Sequence, residues 1–570
     1  MHLKPFTLGI LFGYLPFACA WVDFDPKLIT NLHLTESLPI LSLGPPARIP
    51  TDLMNQFIIS ISPHAQLLTN ETLGGQFAYD GDRLVAFVDA ATGETRVFPN
   101  LENVYAASGP IDISRAFNYT KLNESFPADH TNISVVPGSN LVGNIVHREG
   151  NFSEQELYLT HALVKRNITS SGRIYPVCGP GSLASFGIAG DGTVRSLSYL
   201  WHPATFTGEV MIPNSSTIAY DAIKSQLEPV GQSSGLVKVD GVEVCFYDSA
   251  SRFMQPVYRV WGTLHADKAS NASAPAHIQG FIPIGGNSPE LIPSVVVAGN
   301  NTDPTLPTNQ TTVDNDGEDK VVTRRSVKPD IKVGRYVVRD DTTQWVTNAN
   351  DFLSALRKPL SLFGLGSPFV NFLNTQYYWA YPYLFTSSKN SFINSVHLAD
   401  TEVHGNWHFF TTEKNCCDGV SITDIPADGY GGGAGGILAY WIIHSCEVIP
   451  TITDYSAADR HRAFDDWWRI FNGLHAVVGY RTEMFIGDKA MPTFGRSIAL
   501  GAPFVSSWLQ AVHDDALYKN KYTYFDGNRG FMEPLGRASA VVVCGHEKDV
   551  VWQVENLGRP NCLREFWYEN

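Results

Sequence analysis

The sequence predicts an α/β protein in two folded parts. The first is an α+β N-terminal region built of helix-plus-hairpin units, and the second is a C-terminal domain in which helices cover a sheet. Three observations carry this. Asp-Gly pairs flanked by alternating apolar runs recur in the first half of the chain, two of them preceded by helical patterns. Between Gly299 and Asp330 the composition turns to Asn, Thr, Pro and Asp, with almost no large apolar residue before Val321. From Val333 onward helix and strand signals alternate.

The bulk properties agree with folded domains. The chain has 570 residues, of which 44% are hydrophobic, 12% aromatic and 17% charged. It is too long for one core and too apolar for wholesale disorder. A formal charge of -15 without any long basic run argues against nucleic acid, whose phosphates require clustered Lys and Arg.

Residues 1–20 read as a signal peptide. Lys4 precedes an apolar stretch from Phe6 to Phe17, and Ala18-Cys19-Ala20 supplies small residues where a signal peptidase reads them, so the mature chain is expected to start near Trp21. The apolar stretch is shorter than the roughly 20 residues of a spanning helix. No later segment is long enough to span a bilayer. The expected location is secreted or the lumen of the secretory pathway.

Residues 21–298 form the N-terminal region, with room for two subdomains. Asp80-Gly81, Asp191-Gly192 and Asp240-Gly241 each predict a tight hairpin, because both residue types accept the positive φ of a type I′ turn. Helical patterns cover Asp52–Ser60 and Ile218–Leu227. Ten Asn-x-Ser/Thr sequons stand at Asn70, Asn118, Asn123, Asn132, Asn151, Asn167, Asn214, Asn271, Asn300 and Asn309. All precede residue 310, so N-glycans are expected to coat this region.

Residues 299–330 are the linker, and its Arg324-Arg325 pair is open to dibasic cleavage. Residues 331–570 make the second domain. Asp351–Leu362 has helical spacing, while Trp407–Phe410 and Ile437–Ile443 are apolar runs of strand length. Arg462–Val478 is the strongest helical pattern, with Phe464, Trp467, Phe471, Leu474 and Val478 recurring at three- and four-residue steps. Trp508 to Asp515 reads as a surface helix carrying acids. Gly429–Gly436 lacks the Lys-Ser/Thr of a phosphate loop and reads as a mobile loop beside the site.

Cysteine arithmetic narrows the chemistry. Without Cys19 seven remain: Cys178, Cys245, Cys416, Cys417, Cys446, Cys544 and Cys562. An odd number leaves at least one thiol unpaired in a secreted chain. Cys446 follows the run Tyr440–Ile443 and so falls at a strand's carboxyl end, where open α/β sheets put their crevices. His404-Gly405 fits a second strand end. A thiol attacks as thiolate and an imidazole can take its proton. A glycine lets a substrate carbonyl approach a backbone N–H.

His404, Gly405 and Cys446 are therefore the candidate catalytic residues. For Cys446 the bland alternative is a disulfide or an inert buried thiol. His444, two residues earlier on the same strand face, is a second candidate base. His475, on the apolar helix face, reads as core. Cys416 and Cys417 are expected to pair with other cysteines. His397, His404 and His408 with Glu402 do not make a metal motif, because Gly405-Asn406 break the helix that would align them and no H-E-x-x-H occurs. No metal and no cofactor are expected.

The order of a hydrophobic run, His404-Gly405, a spacer, a hydrophobic strand and Ser445-Cys446 resembles the caspase, legumain and gingipain clan of cysteine peptidases. A closer resemblance is to the DUF6345 family, found in bacteria and in secreted fungal proteins. It rests on His404-Gly405, Ser445-Cys446 and Trp468-x-x-Phe471-x-Gly473-Leu474-His475-x-x-x-Gly479-Tyr480-x-Thr482. It covers residues 390–515, and Pro256-Val257-Tyr258-Arg259-Val260 is similar to a strand of the family's preceding domain. The chain has Val403 where the family has Gly, and Ser445 where it has Ala. The resemblance implies a caspase-like α/β/α sandwich, with His404 as base and Cys446 as nucleophile.

The expected function is a secreted cysteine hydrolase acting on a peptide or other acyl substrate. The N-terminal region would then be a propeptide-like or substrate-presenting domain. Two rivals stand beside it. One is an enzyme of small-molecule (secondary-metabolite) biosynthesis, such as a cyclase or isomerase. The other is a non-catalytic binding glycoprotein.

Overall fold

A computed structural model describes residues 21–569 except 108, 110, 115–121, 235, 266–275, 291, 293–327, 340–343, 360–366, 413–418, 433–434, 485–488, 520–522 and 527–530. Residues 1–20, which read as a signal peptide in the sequence, Arg324-Arg325, Cys416, Cys417 and most of residues 299–330 lie outside the described residues. So do Asn118, Asn271, Asn300 and Asn309.

The first part contains α1 (Thr51–Ile61), β1 (Gly75–Asp80), β2 (Arg83–Asp89), β3 (Asn132–His147), β4 (Glu156–Ser170), β5 (Leu183–Ile188), β6 (Val194–Leu200), α2 (Ser216–Ser234), β7 (Leu236–Asp248) and β8 (Phe253–His265). Two Asp-Gly pairs turn hairpins as the sequence predicts, β1 into β2 and β5 into β6. Gly81 has φ +63 and Gly192 φ +79. The third pair does not turn. β7 runs through Asp240-Gly241 with a bulge, and the hairpin to β8 comes after Asp248. Gly241 is needed for packing, since a Cβ there would stand 2.0 Å from the Trp261 ring. A glycine demanded by a neighbour's bulk looks the same in sequence as one demanded by a turn.

The second part contains β9 (Ile331–Val337), α3 (Gln344–Arg357), β10 (Phe372–Trp379), β11 (Leu398–Glu402), β12 (Tyr440–His444), α4 (Arg462–Ile470), β13 (Ala476–Tyr480), α5 (Ala490–Ala499), α6 (Phe504–Lys519), β14 (Ala538–Val543) and β15 (Cys562–Glu569). Strands β10, β9, β11, β12 and β13 lie side by side in parallel. β14 and β15 extend this sheet antiparallel. Every residue of β12, β13 and β14 is buried, as in a sheet covered on both faces. On one face α3, α5 and α6 pack together through Phe352, Phe494 and Trp508. On the other, Trp441 meets Phe385, Phe410 and Tyr430.

β15 then pairs with β3, from Cys562 opposite His147 to Glu569 opposite Asn140. The two parts thus share one continuous mixed sheet. Disulfides join Cys178 to Cys245 and Cys544 to Cys562, and Cys446 is free. No helix among the described residues is long and apolar enough to cross a membrane.

Three further expectations change. The helix predicted over Arg462–Val478 stops at Ile470; Gly473, at φ +131, redirects the chain, and Ala476–Tyr480 is a strand. A strand buried on both faces has no alternation, so its apolar residues prolonged the helical count by coincidence. The helix carrying His513, Asp514 and Asp515 is no surface helix, because these residues are only 3%, 5% and 8% exposed. It is wedged against the N-terminal part, where Gln510 donates to the Leu197 carbonyl at 2.9 Å and Asp514 meets Arg96 at 2.7 Å. The Gly429–Gly436 loop leads into the amino end of β12, at the sheet edge opposite Cys446. Its Tyr430 is fully buried and donates to the Phe385 carbonyl at 2.7 Å.

Candidate functional site

β11 and β12 are neighbours in constant register, Leu398 beside Tyr440 through to Glu402 beside His444. The paired register ends there, and His404 and Cys446 each lie two residues past the carboxyl ends of these adjacent strands. Two contacts hold the following segments together beyond the last paired rung. The Val403 N–H donates to the His444 carbonyl at 3.3 Å. A Cβ on Gly405 would stand 2.1 Å from Ser445 Oγ and 2.8 Å from the Cys446 carbonyl oxygen.

His404 and Cys446 are both half-buried. The His404 ring meets Trp345, at the start of α3, edge-on at 5.1 Å. The same indole meets the His444 ring at 6.3 Å. Burial pushes the Cys446 thiol well above its ordinary range. The charges of Glu483 and Glu447 add to this, and an N–H from Met484 opposes it. The resting group is therefore a neutral thiol. Glu447, immediately after Cys446, has φ +51, a backbone conformation that non-glycine residues adopt at a cost. Its N–H donates to the Thr482 carbonyl at 3.1 Å.

Directly beneath this pair lies a second one. His444 Nδ1 is 2.6 Å from Glu402 Oε2, with both side chains fully buried. The Asn348 amide donates to the same oxygen at 3.3 Å and is itself met by Gln344 at 2.7 Å. On the far side of the imidazole, Nε2 lies 3.4 Å from the Tyr480 hydroxyl. Asp400, one rung lower, is held well above the ordinary carboxylate range by burial and by the charge of Glu402. His444 in sequence is only a spare base next to Cys446. That Glu402 is its partner follows from β11 and β12 being neighbours, which no local signal announces.

The other histidines are dispersed. His397 accepts from the Lys332 N–H at 3.1 Å, and His408 meets Asp466 at 2.9 Å. His475 is fully buried, with Nδ1 2.6 Å from Asp549 and Nε2 2.7 Å from the Glu555 carbonyl. His475, His546 and Asp549 are the one group among the described residues able to converge on a metal ion. The hydrogen bonds among them already account for their placement: Asp549 also takes His546 Nδ1 at 2.7 Å. Of the sequons, Asn70, Asn132 and Asn151 are exposed, while Asn167 and Asn214 are half-buried. The backbone of Asn123 lies in a short 3-10 helix, Leu122–Ser125.

No curated protein matches the chain. A solved structure similar to it is that of an uncharacterized protein from Eubacterium rectale ATCC 33656. The identity is 7% and the TM-score 0.27, over 46% of this chain and 98% of that one. Residues 381–530, which hold both strand ends of the site, match the family described as "Domain of unknown function (DUF6345)".

Proposed function

We propose that the protein is a secreted cysteine hydrolase with a caspase-like C-terminal domain, in which Cys446 is the nucleophile and His404 the base toward a peptide or other acyl substrate. The observation that carries this is the shared register of β11 and β12, which brings a free thiol and an imidazole to one rim of a parallel sheet. Secretion is supported by two disulfides and by sequons on exposed N-terminal positions.

Because burial and two acids keep the thiol neutral, deprotonation accompanies attack. The sulfur bonds to the substrate carbonyl carbon as His404 takes its proton, and the Gly405 N–H stabilises the oxyanion. The intermediate collapses by expelling an amine or alcohol, which leaves with the proton from His404. Water, deprotonated by His404, then hydrolyses the thioester and restores the thiol.

The test is a screen of fluorogenic peptide amides and aryl esters on the full chain, with acid-quenched mass spectrometry for an acyl adduct on Cys446. Cys446→Ala and His404→Ala are each expected to lower turnover by about 100-fold or more. Turnover that survives Cys446→Ala removes the nucleophile. The neutral thiol also favours a second reading, in which Cys446 and His404 act as acid and base in cyclising or isomerising a small metabolite. In that case turnover depends on both residues but no adduct forms.

A further inference from the structure

Hydrogen bonds fix where His475, His546 and Asp549 sit, but those bonds need a positive charge that neutral imidazoles and one carboxylate do not supply. His475 Nε2 is 2.7 Å from the Glu555 carbonyl oxygen, which can only accept, so that nitrogen carries a proton. Its Nδ1 is 2.6 Å from Asp549 Oδ2, and His546 Nδ1 is 2.7 Å from the same oxygen. A neutral imidazole has one N–H, and in His475 it is already on Nε2. Its Nδ1 and a carboxylate oxygen come this close only with a cation to share, either one further proton or a metal ion. His475 is fully buried. The surroundings are rich in acceptors. The Tyr440 hydroxyl, 3.5 Å from His475 Nδ1, lies 3.0 Å from the Val550 carbonyl and 2.9 Å from that of Gln553, with a single proton to give. The charge of Glu555 acts on both Tyr440 and His546.

The three ligand atoms lie within 4.8 Å of one another. Zinc bonds imidazole nitrogen and carboxylate oxygen at about 2.0–2.2 Å, so shifts of roughly half an ångström would seat it. Hard cations such as calcium and magnesium take oxygen sets, whereas two imidazoles with one carboxylate suit zinc and its transition-metal neighbours. The bond from His475 Nε2 to the Glu555 carbonyl is the outer contact that orients a metal-bound imidazole. The His546 side chain is 29% exposed, which leaves solvent an approach and a fourth position for water. His475 immediately precedes β13, and His546 and Asp549 follow β14 inside the segment closed by the Cys544–Cys562 disulfide. The group thus lies at the sheet edge opposite the one that carries Cys446.

We propose that His475 Nδ1, His546 Nδ1 and Asp549 Oδ2 bind one zinc-type divalent ion, which pins the segment between β14 and β15 to the amino end of β13. On binding, the extra proton leaves, His475 keeps its Nε2 proton, and the His546 proton moves to the Nε2 of that ring. The site stands whether or not Cys446 is a nucleophile.

The test strips the full chain with a chelator and titrates it with Zn2+ by isothermal titration calorimetry. One ion per chain is expected, with a Kd of about 10 μM or tighter. His546→Ala, a change at a half-exposed side chain, weakens binding by about 100-fold or more. His461→Ala, at an exposed histidine away from the group, leaves it unchanged. Co2+ in place of Zn2+ is expected to show the intense visible bands of a four-coordinate ion, lost in His546→Ala. Near-UV circular dichroism verifies folding. Should His546→Ala not fold, the Co2+ spectrum and stoichiometry of the unaltered chain decide. Binding weaker than about 10 μM, an affinity unmoved in folded His546→Ala, or the faint bands of six-coordinate Co2+ overturns the proposal and leaves a proton as the shared cation.

Discussion

Gly405 is seated on Ser445 so closely that a single added carbon at 405 would stand 2.1 Å from the serine oxygen. The segments that follow β11 and β12 pack this closely because position 405 has no side chain. Gly405→Ala is expected to cost about 1–3 kcal/mol, the usual price of overpacking. Ser445→Ala removes the nearest atom, so the double variant should recover part of the loss although the Cys446 carbonyl oxygen still crowds the site. Urea unfolding of the two single variants and the double variant measures the coupling. Strict additivity would mean the two residues do not meet.

The Cys446 thiol is neutral at rest, held up by burial and then by Glu483. Iodoacetamide should therefore alkylate it slowly at neutral pH and faster as pH rises, unlike an activated thiolate. Glu483→Gln should raise the neutral-pH rate by lowering the thiol pKa. Mass spectrometry of the modified peptide follows this directly, and rapid labelling at pH 7 would contradict the electrostatics described.

Glu402 and His444 form a buried hydrogen-bonded pair, and removing one partner strands the other. Glu402→Ala is expected to destabilise the fold by about 3–5 kcal/mol. Glu402→Gln keeps an oxygen near the imidazole, and its cost should be closer to about 1–2 kcal/mol. Equal losses in urea denaturation would show that the carboxylate contributes only volume.

His513 makes stability depend on acid. Unfolded, it titrates near 6.5, and folded near 3, through burial and then Arg537. Between these values the unfolded chain binds more protons, so stability is complete above pH 6.5 and falls as pH drops toward 3. The slope is at most about 1.4 kcal/mol per pH unit. His161, lowered by burial and by His513, acts with the same sign. Thermal midpoints across this range should fall less steeply in His513→Phe than in the parent protein.

Much of the local structure was legible. Asp52–Ser60 and Ile218–Leu227 lie within helices, and Asp80-Gly81 and Asp191-Gly192 turn hairpins, because periodicity and turn chemistry act over a few residues. Cys446 at a strand end and His404 at another were legible for the same reason. Three of the misreadings share one cause. Gly241 answers to Trp261, Asp514 to Arg96, and Tyr430 to Phe385, all partners distant along the chain.

By itself, then, the sequence determined the class of the fold, the two candidate strand ends and the odd thiol, since each follows from short-range patterning or from counting. Only the tertiary structure decided that β11 and β12 are neighbours, that Glu402 holds His444 beneath the thiol, and that β15 closes onto β3. Pairing between strands depends on which buried surfaces fit together across the whole chain, and residues far apart in sequence carry no local mark of the partner they will meet.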